Sequence, residues 1–360
     1  MKKLSIFLSL LCWAAIASPL PELELSIPAN SLFDSNRELR MSMELTGIYD
    51  DQLELDEYVL VSRKMTDKLM AFFPNSNSLT HQSRNTFVFN DGTASKPNWK
   101  IEIDGSLNLH PILEVTTPDV RTTKVEIFDK TFDLFSEITV VPNKEVGGGH
   151  IRVKIKKNKI TPSQLKSLLN LYYSFQDILV FSFRSDKRSH RTAAPMVGEK
   201  AHWDSLACRL LKAPGSGTST YADYQSAGTA EPLMQRLGGW LKRRGIIFDL
   251  EAKGYDKYFA FNLPRLYSTY IQPHKKSLKF EFRFFDAATS KREMRLHLLV
   301  IKALFNKAMN SEIALHRRDW GKMRLWRSNK AMYQNDLKSF LRLIGLDYSQ
   351  YAYLVEQNSY

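Results

Sequence analysis

The sequence predicts an α+β fold built on a largely antiparallel sheet. Three observations predict it. Short segments alternating apolar and polar residues, separated by Asn/Asp/Gly turns such as Asn90-Asp91-Gly92, fill residues 39–155. Two helix-opening signatures, Thr161-Pro162-Ser163-Gln164 and Ser290-Lys291-Arg292-Glu293, follow that stretch. Between them runs Leu278-Lys279-Phe280-Glu281-Phe282-Arg283-Phe284, whose period of two marks another strand.

The chain begins with Lys2-Lys3, an apolar run from Leu4 to Ile16 and small residues ending at Ala17, the order of a secretory signal. Residues 1–17 are therefore expected to be cleaved, and the run is too short for a good membrane span. Leu11 and Trp13 around Cys12 argue against lipid attachment. Cleavage would leave Cys208 as the one cysteine, so no intramolecular disulfide could form. The expectation is an exported protein, periplasmic or secreted, with no membrane span after cleavage.

Residues 18–37 read as a lead-in, 38–346 as one catalytic-size domain and 347–360 as a C-terminal tail. Strands are expected at Met41–Thr46, Trp99–Asp104, Leu113–Val115 and Gly149–Ile155. The helix opened by Thr161 carries Leu165, Leu168, Leu169, Tyr172, Phe175 and Leu179 on one face and runs to about Phe183. Helices are also expected over Ala201–Leu211 and Glu231–Arg244, and strands over Ile246–Glu251 and Lys257–Asn262. The Ser290 signature opens a helix with Met294, Leu298, Ile301 and Phe305 on one stripe, and a last helix covers Lys330–Ile344.

The charges of both signs on the strands are the candidate chemistry. Side chains two apart share a face, so Glu102 with Asp104, His150 with Arg152, and Glu281 with Arg283 each stand above an apolar floor. Glu44 and Glu114 occupy similar positions between apolar neighbours. Carboxylates of this kind suit a hard divalent cation, and arginines suit phosphate. The bland alternative is the exposed side of an antiparallel sheet with charges paired across strands. No His-Glu-x-x-His, Cys-x-x-Cys pair, Gly-x-Ser-x-Gly or P-loop sequence occurs, which leaves zinc-hydrolase and serine-hydrolase chemistry without support. The net charge of +13 favours anionic partners without choosing among them.

Order and spacing add a resemblance. Asp104-Gly105-Ser106, Glu114-Val115-Thr116-Thr117-Pro118, Gly148-Gly149-His150-Ile151-Arg152-Val153, Lys257 to Leu263, and Phe280-Glu281-Phe282-Arg283-Phe284 with Thr289 together resemble the amidoligase family, a glutamine-synthetase-like group of carboxylate–amine ligases. The resemblance spans roughly Glu44 to Met309. It implies a curved sheet of the glutamine-synthetase catalytic type with helices packed on one face. It also implies ATP and Mg²⁺ as cofactors, and ligation of a carboxylate to an amine through an acyl phosphate. By position, Glu44, Glu114, His150 and Glu281 would hold metal. Arg283, Asp104 and Glu114 would be catalytic, and Gly148, Gly149, Arg152 and Arg283 would hold the nucleotide. Two residues depart from the family pattern: Thr46 stands where a second Glu is expected, and Arg152 where a second His is expected.

The implied partners are small-molecule or peptide carboxylates and amines, including cell-wall peptide, and not nucleic acid. Because compartments outside the cytoplasm hold little ATP, an exported ligase would require an unusual setting. The alternative is a catalytically degenerate scaffold that binds acidic peptides or envelope polymer through Arg152, Lys154, Lys279 and Arg283.

Overall fold

The computed structural model describes residues 39–48, 71, 78–83, 86–90, 99–104, 112–121, 125–138, 148–184, 260–314 and 322–358. The signal and lead-in segments, Gly147, the helices expected over 201–211 and 231–244 and the strand expected over 246–251 lie outside them.

In chain order the elements are β1 (Arg40–Ile48), β2 (Ser78–Ser83), β3 (Thr86–Asn90), β4 (Trp99–Asp104), β5 (Ile112–Thr116), β6 (Val120–Arg121), α1 (Val125–Ile138), β7 (Gly148–Lys156) and α2 (Pro162–Phe183). There follow α3 (Leu263–Ile271), β8 (Ser277–Asp286), α4 (Lys291–Asn310), α5 (Met323–Ser328), α6 (Lys330–Leu343) and α7 (Tyr353–Gln357). Among the described residues the strands form one open sheet, ordered β2-β3-β4-β5-β1-β7-β8, with β6 beside β1. Every pairing is antiparallel, which establishes the α+β class that the sequence predicts.

Alternation decides which face of the sheet is covered. Trp99 and Ile101 of β4, Ile151 and Val153 of β7, and Phe280, Phe282 and Phe284 of β8 all turn inward and are buried. The helices pack on that face. The Trp99 indole N–H of β4 donates to Thr131 Oγ1 of α1 at 2.9 Å. Tyr172 of α2 packs beside Phe282 and Phe284, and Phe305 of α4 stands edge-on to Phe280 and Phe282. Such aromatic contacts bury large areas in offset or edge geometry. The opposite face keeps the charged residues.

The helix ends follow local chemistry. Thr161 caps α2 with the full reciprocal box: Gln164 N donates to Thr161 Oγ1 at 3.2 Å, and Thr161 N donates to Gln164 Oε1 at 2.9 Å. At α4 only half of the expected box forms. Glu293 N donates to Ser290 Oγ, but the Glu293 carboxylate accepts from Thr289 N and Oγ1 at 2.8 and 2.7 Å.

Three expectations need correcting. Helix α1 falls inside the stretch read as strands; its Phe128, Thr131, Phe132 and Phe135 form a buried helical stripe. Within the strand expected over 257–262, residues 260–262 make one antiparallel bridge, Phe261 to Phe282. Asn262 then caps α3, its Oδ1 accepting from Arg265 N at 3.1 Å, with Pro264 in the first turn. Residues 347–358 are no loose tail. A 3₁₀ turn over Tyr348–Tyr351 and α7 bury Tyr351, Leu354 and Val355, and Tyr351 Oη donates to Leu296 O at 3.1 Å. No helix among the described residues is long and apolar enough to cross a membrane.

The β7–β8 pairing carries a local irregularity. The register passes from Ile151 opposite Phe282 to Gly149 opposite Phe285, so Arg283 and Phe284 together face His150. Bulges of this kind re-aim side chains. Beside it Gly149 has no room for a side chain: a Cβ there would lie 2.8 Å from Asp286 O and 3.5 Å from Phe285 Cβ. Gly149→Ala should therefore destabilise the protein by about 1–3 kcal/mol, through forced displacement of β8 backbone. Denaturant unfolding of the variant against the parent measures the loss.

Candidate functional site

The charged face gathers residues that lie far apart in sequence. Register places Glu102 of β4 opposite Glu114 of β5, and Glu114 opposite Thr46 of β1. Glu44, two residues before Thr46, stands opposite His150 of β7, and Arg152 stands opposite Glu281 of β8. Because β5, β1, β7 and β8 are consecutive neighbours, Glu114, Glu44, His150, Arg152, Glu281 and Arg283 form one continuous row. Asp104 lies in β4 at the register position opposite Ile112.

This face is not the exposed side of a sheet. Glu281 is 1% exposed, Glu44 2%, and His150 and Arg283 7% each. Buried charges need charged partners to persist, and both carboxylates have them. The two Glu44 oxygens meet His150 Nδ1 and Arg152 Nη2. Arg152 Nε also donates to Glu281 Oε2 at 3.3 Å, so one guanidinium touches the carboxylates of both flanking strands. Glu281 Oε2 further accepts from Arg265 Nη1. Glu281 Oε1 accepts from Arg283 Nη1 at 2.8 Å and from Asn262 Nδ2 at 3.2 Å. The backbone locks the same corner: Asn262 N donates to Glu281 O at 2.9 Å, and Arg283 N donates to Ala260 O at 2.7 Å.

Electrostatics separate the carboxyls into two kinds. Burial alone would raise Glu281, but Arg265, Arg152, His150 and Arg283 together hold it down at about 2. Burial opposes ionisation of Glu44 as well, and Arg152 and His150 overcome it, so Glu44 stays well below the usual carboxylate range. Glu114 goes the other way. Burial and the adjacent negative charge of Glu44 push it far up, so at neutral pH it keeps its proton and shares it with Glu44 in a hydrogen bond. Three guanidiniums, Arg152, Arg265 and Arg283, then face two ionised carboxylates, with Glu114 neutral. The surplus is positive, which suits an anionic ligand.

The four residues expected as metal ligands are brought together, yet their donor atoms do not form a metal shell. The oxygens of Glu44 and Glu281 are directed at guanidinium, imidazole and amide N–H groups, and the Glu114 carboxyl holds a proton. Among the described residues no group of three or more His, Cys, Asp or Glu side chains could hold a cation. Gly148 and Gly149, expected at the nucleotide, lie in β7 opposite Asp286 and Phe285. Arg265 and Asn262 are the site residues that the strand pattern missed. Their signal was Asn262-Leu263-Pro264-Arg265, an N-cap with Pro in the first turn, which opens a helix and aims its fourth residue back along β8.

No family model matches the chain, and no curated protein matches it in sequence. Among solved structures the chain is similar to the Pup ligase PafA, in the crystal structure of its complex with the prokaryotic ubiquitin-like protein Pup. The identity is 8% and the TM-score 0.36, over 91% of this chain; the chain spans 63% of the length of that ligase chain.

Two pH effects follow with opposite signs. Glu281 has its folded-state value near 2 against an ordinary 4.5. Its contribution is complete above 4.5 and is lost as the pH falls through about 2, a loss of about 3 kcal/mol. Glu281→Gln should lack that acid limb when stability is measured across this range. Glu114 has a raised value, so its contribution is complete below 4.5 and drains away as the pH rises. Glu114→Gln, which mimics the protonated carboxyl, should keep the fold and remove that alkaline decline.

Proposed function

We propose that the chain is an ATP-dependent carboxylate–amine ligase of the amidoligase kind, acting outside the cytoplasm after removal of residues 1–17. One observation supports it above the others: Glu44, Glu114, His150, Arg152, Glu281 and Arg283, singled out by the order of the family's motifs, lie in one polar row in which Glu44, His150, Glu281 and Arg283 are buried. Resemblance in sequence order and proximity in space are independent requirements, and their coincidence at these residues supports the reading.

In this reading Arg283, Arg152 and Arg265 provide the positive surplus that holds the ATP phosphates. ATP supplies the phosphoryl group that turns the substrate carboxylate into an acyl phosphate. The arginines are already oriented by Glu281, so no side chain has to reorganise as charge shifts during transfer; such preorganisation is a large catalytic contribution. Glu114 carries a proton beside the row, and the amine is placed at its side of the site, toward Asp104 of β4. As the amine attacks, the acyl–phosphate C–O bond breaks and the proton shed by the nitrogen leaves with inorganic phosphate, since Glu114 already holds a proton at neutral pH. Mg²⁺ takes no step in this reading, because Glu44 and Glu281 are engaged by cationic and amide groups and Glu114 holds a proton.

A second reading is favoured by Arg152, which joins Glu44 to Glu281 where the family pattern has histidine. There the scaffold binds acidic peptide or envelope polymer without turnover.

The two readings separate in one assay. Hydroxylamine converts an activated carboxyl to a hydroxamate, so the full chain is incubated with ATP, hydroxylamine and a panel of carboxylate peptides while ADP is followed. The ligase reading expects coupled ADP and hydroxamate, reduced by on the order of a hundredfold in Arg283→Ala. Peptide binding with no ADP release would establish the second reading instead.

A further inference from the structure

Arg152 occupies an unusual place in the row. It belongs to the strand between two carboxylate-bearing strands, β1 and β8, and its guanidinium touches both acids: Nη2 meets Glu44 Oε2, and Nε lies 3.3 Å from Glu281 Oε2. Two buried carboxylates converging on one point from neighbouring strands are what a divalent cation requires of a protein. Here that point is taken by a covalently attached cation.

We propose that Arg152 replaces a divalent metal in this site, so that anionic ligands meet a protein-borne charge between Glu44 and Glu281 and need no metal there. The neighbours agree with this. The second oxygen of Glu44 is engaged by His150, and that of Glu281 by Arg283 at 2.8 Å and Asn262 at 3.2 Å. Arg265 adds a third guanidinium at Glu281. A metal ion at this point would have to expel Arg152 and stand among two further positive groups, against direct repulsion. A guanidinium also differs from a metal in kind. It offers N–H donors in a planar fork that fits carboxylate or phosphate oxygens, and it cannot be removed by chelation.

The inference goes beyond the ligase reading and stands or falls separately from it. The test uses Mn²⁺ as probe with the full chain, reading bound ion by electron paramagnetic resonance and the melting temperature with and without millimolar Mn²⁺. The parent should show no Mn²⁺ uptake that depends on Glu44 or Glu281, and no rise in melting temperature. Arg152→His and Arg152→Ala vacate the point and remove the cation that the two carboxylates share. Each should gain one Mn²⁺, with a melting temperature that Mn²⁺ raises by several degrees as binding to the folded state requires. Arg152→Ala keeps the test decisive if Arg152→His fails to fold, since rescue by Mn²⁺ is itself the readout. Uptake by the parent that disappears in Glu281→Gln would overturn the proposal, as would the absence of any Mn²⁺ effect on both variants. Failure of the ligase reading shows elsewhere, as ATP left unconverted, whatever the Mn²⁺ result.

Discussion

The charged face depends on the ionised, fully buried carboxylate of Glu281. A charge taken out of water at 1% exposure is tolerable only with partners that restore what hydration gave. Arg152, Arg265 and Arg283 supply charge, and Asn262 supplies a further hydrogen bond. These partners come from β7, α3 and β8 itself, so satisfying one carboxylate fixes the relative placement of three elements. The bridge at Phe261 and the cap at Asn262 follow from the same demand, since they bring Arg265 to the edge of β8. Removing Glu281 would leave several cations facing one another without an anion. Removing any single arginine would leave a buried anion less completely held.

The row also shows how one sheet produces carboxyls of opposite character. Glu281 lies among guanidiniums and stays ionised, whereas Glu114, beside Glu44 and near Glu102, has no comparable surplus of cations and retains a proton. The difference is one of position along the strand order. Toward β8 the row is cationic in balance, and toward β4 it is acidic. A ligand spanning the row would meet fixed positive charge at one end and a proton-bearing carboxyl at the other.

Much of this was legible in the sequence, for reasons specific to each element. Period-two alternation identified β1, β4, β5, β7 and β8 and named the residues of their polar faces, because a strand with one buried face must alternate. The Thr161 signature gave α2 its start, since its capping hydrogen bonds are local. Helix α1 was missed where alternation surrounded it, although its Phe128, Phe132 and Phe135 spacing was helical. Arg265 was missed because its role depends on where α3 docks, which no local pattern encodes. Whether Glu44 and Glu281 would meet could not be read either, as it rests on strand order: β1 and β8 both flank β7, though β7 follows β1 by a long stretch of chain. The engagement of those acids by Arg152 was hinted at by an arginine in a histidine position and required the register to interpret.

The central claim is that Glu44 and Glu281, which do not lie on adjacent strands, are coupled through the guanidinium between them. A double-mutant cycle of Glu44→Gln and Glu281→Gln, read by denaturant unfolding at neutral pH, tests it most directly. Coupling of two buried carboxylates through a shared partner predicts an interaction energy of about 1–3 kcal/mol between the two substitutions. Additivity within about 0.5 kcal/mol would contradict the account, because the two carboxylates would then be independent residents of the same face.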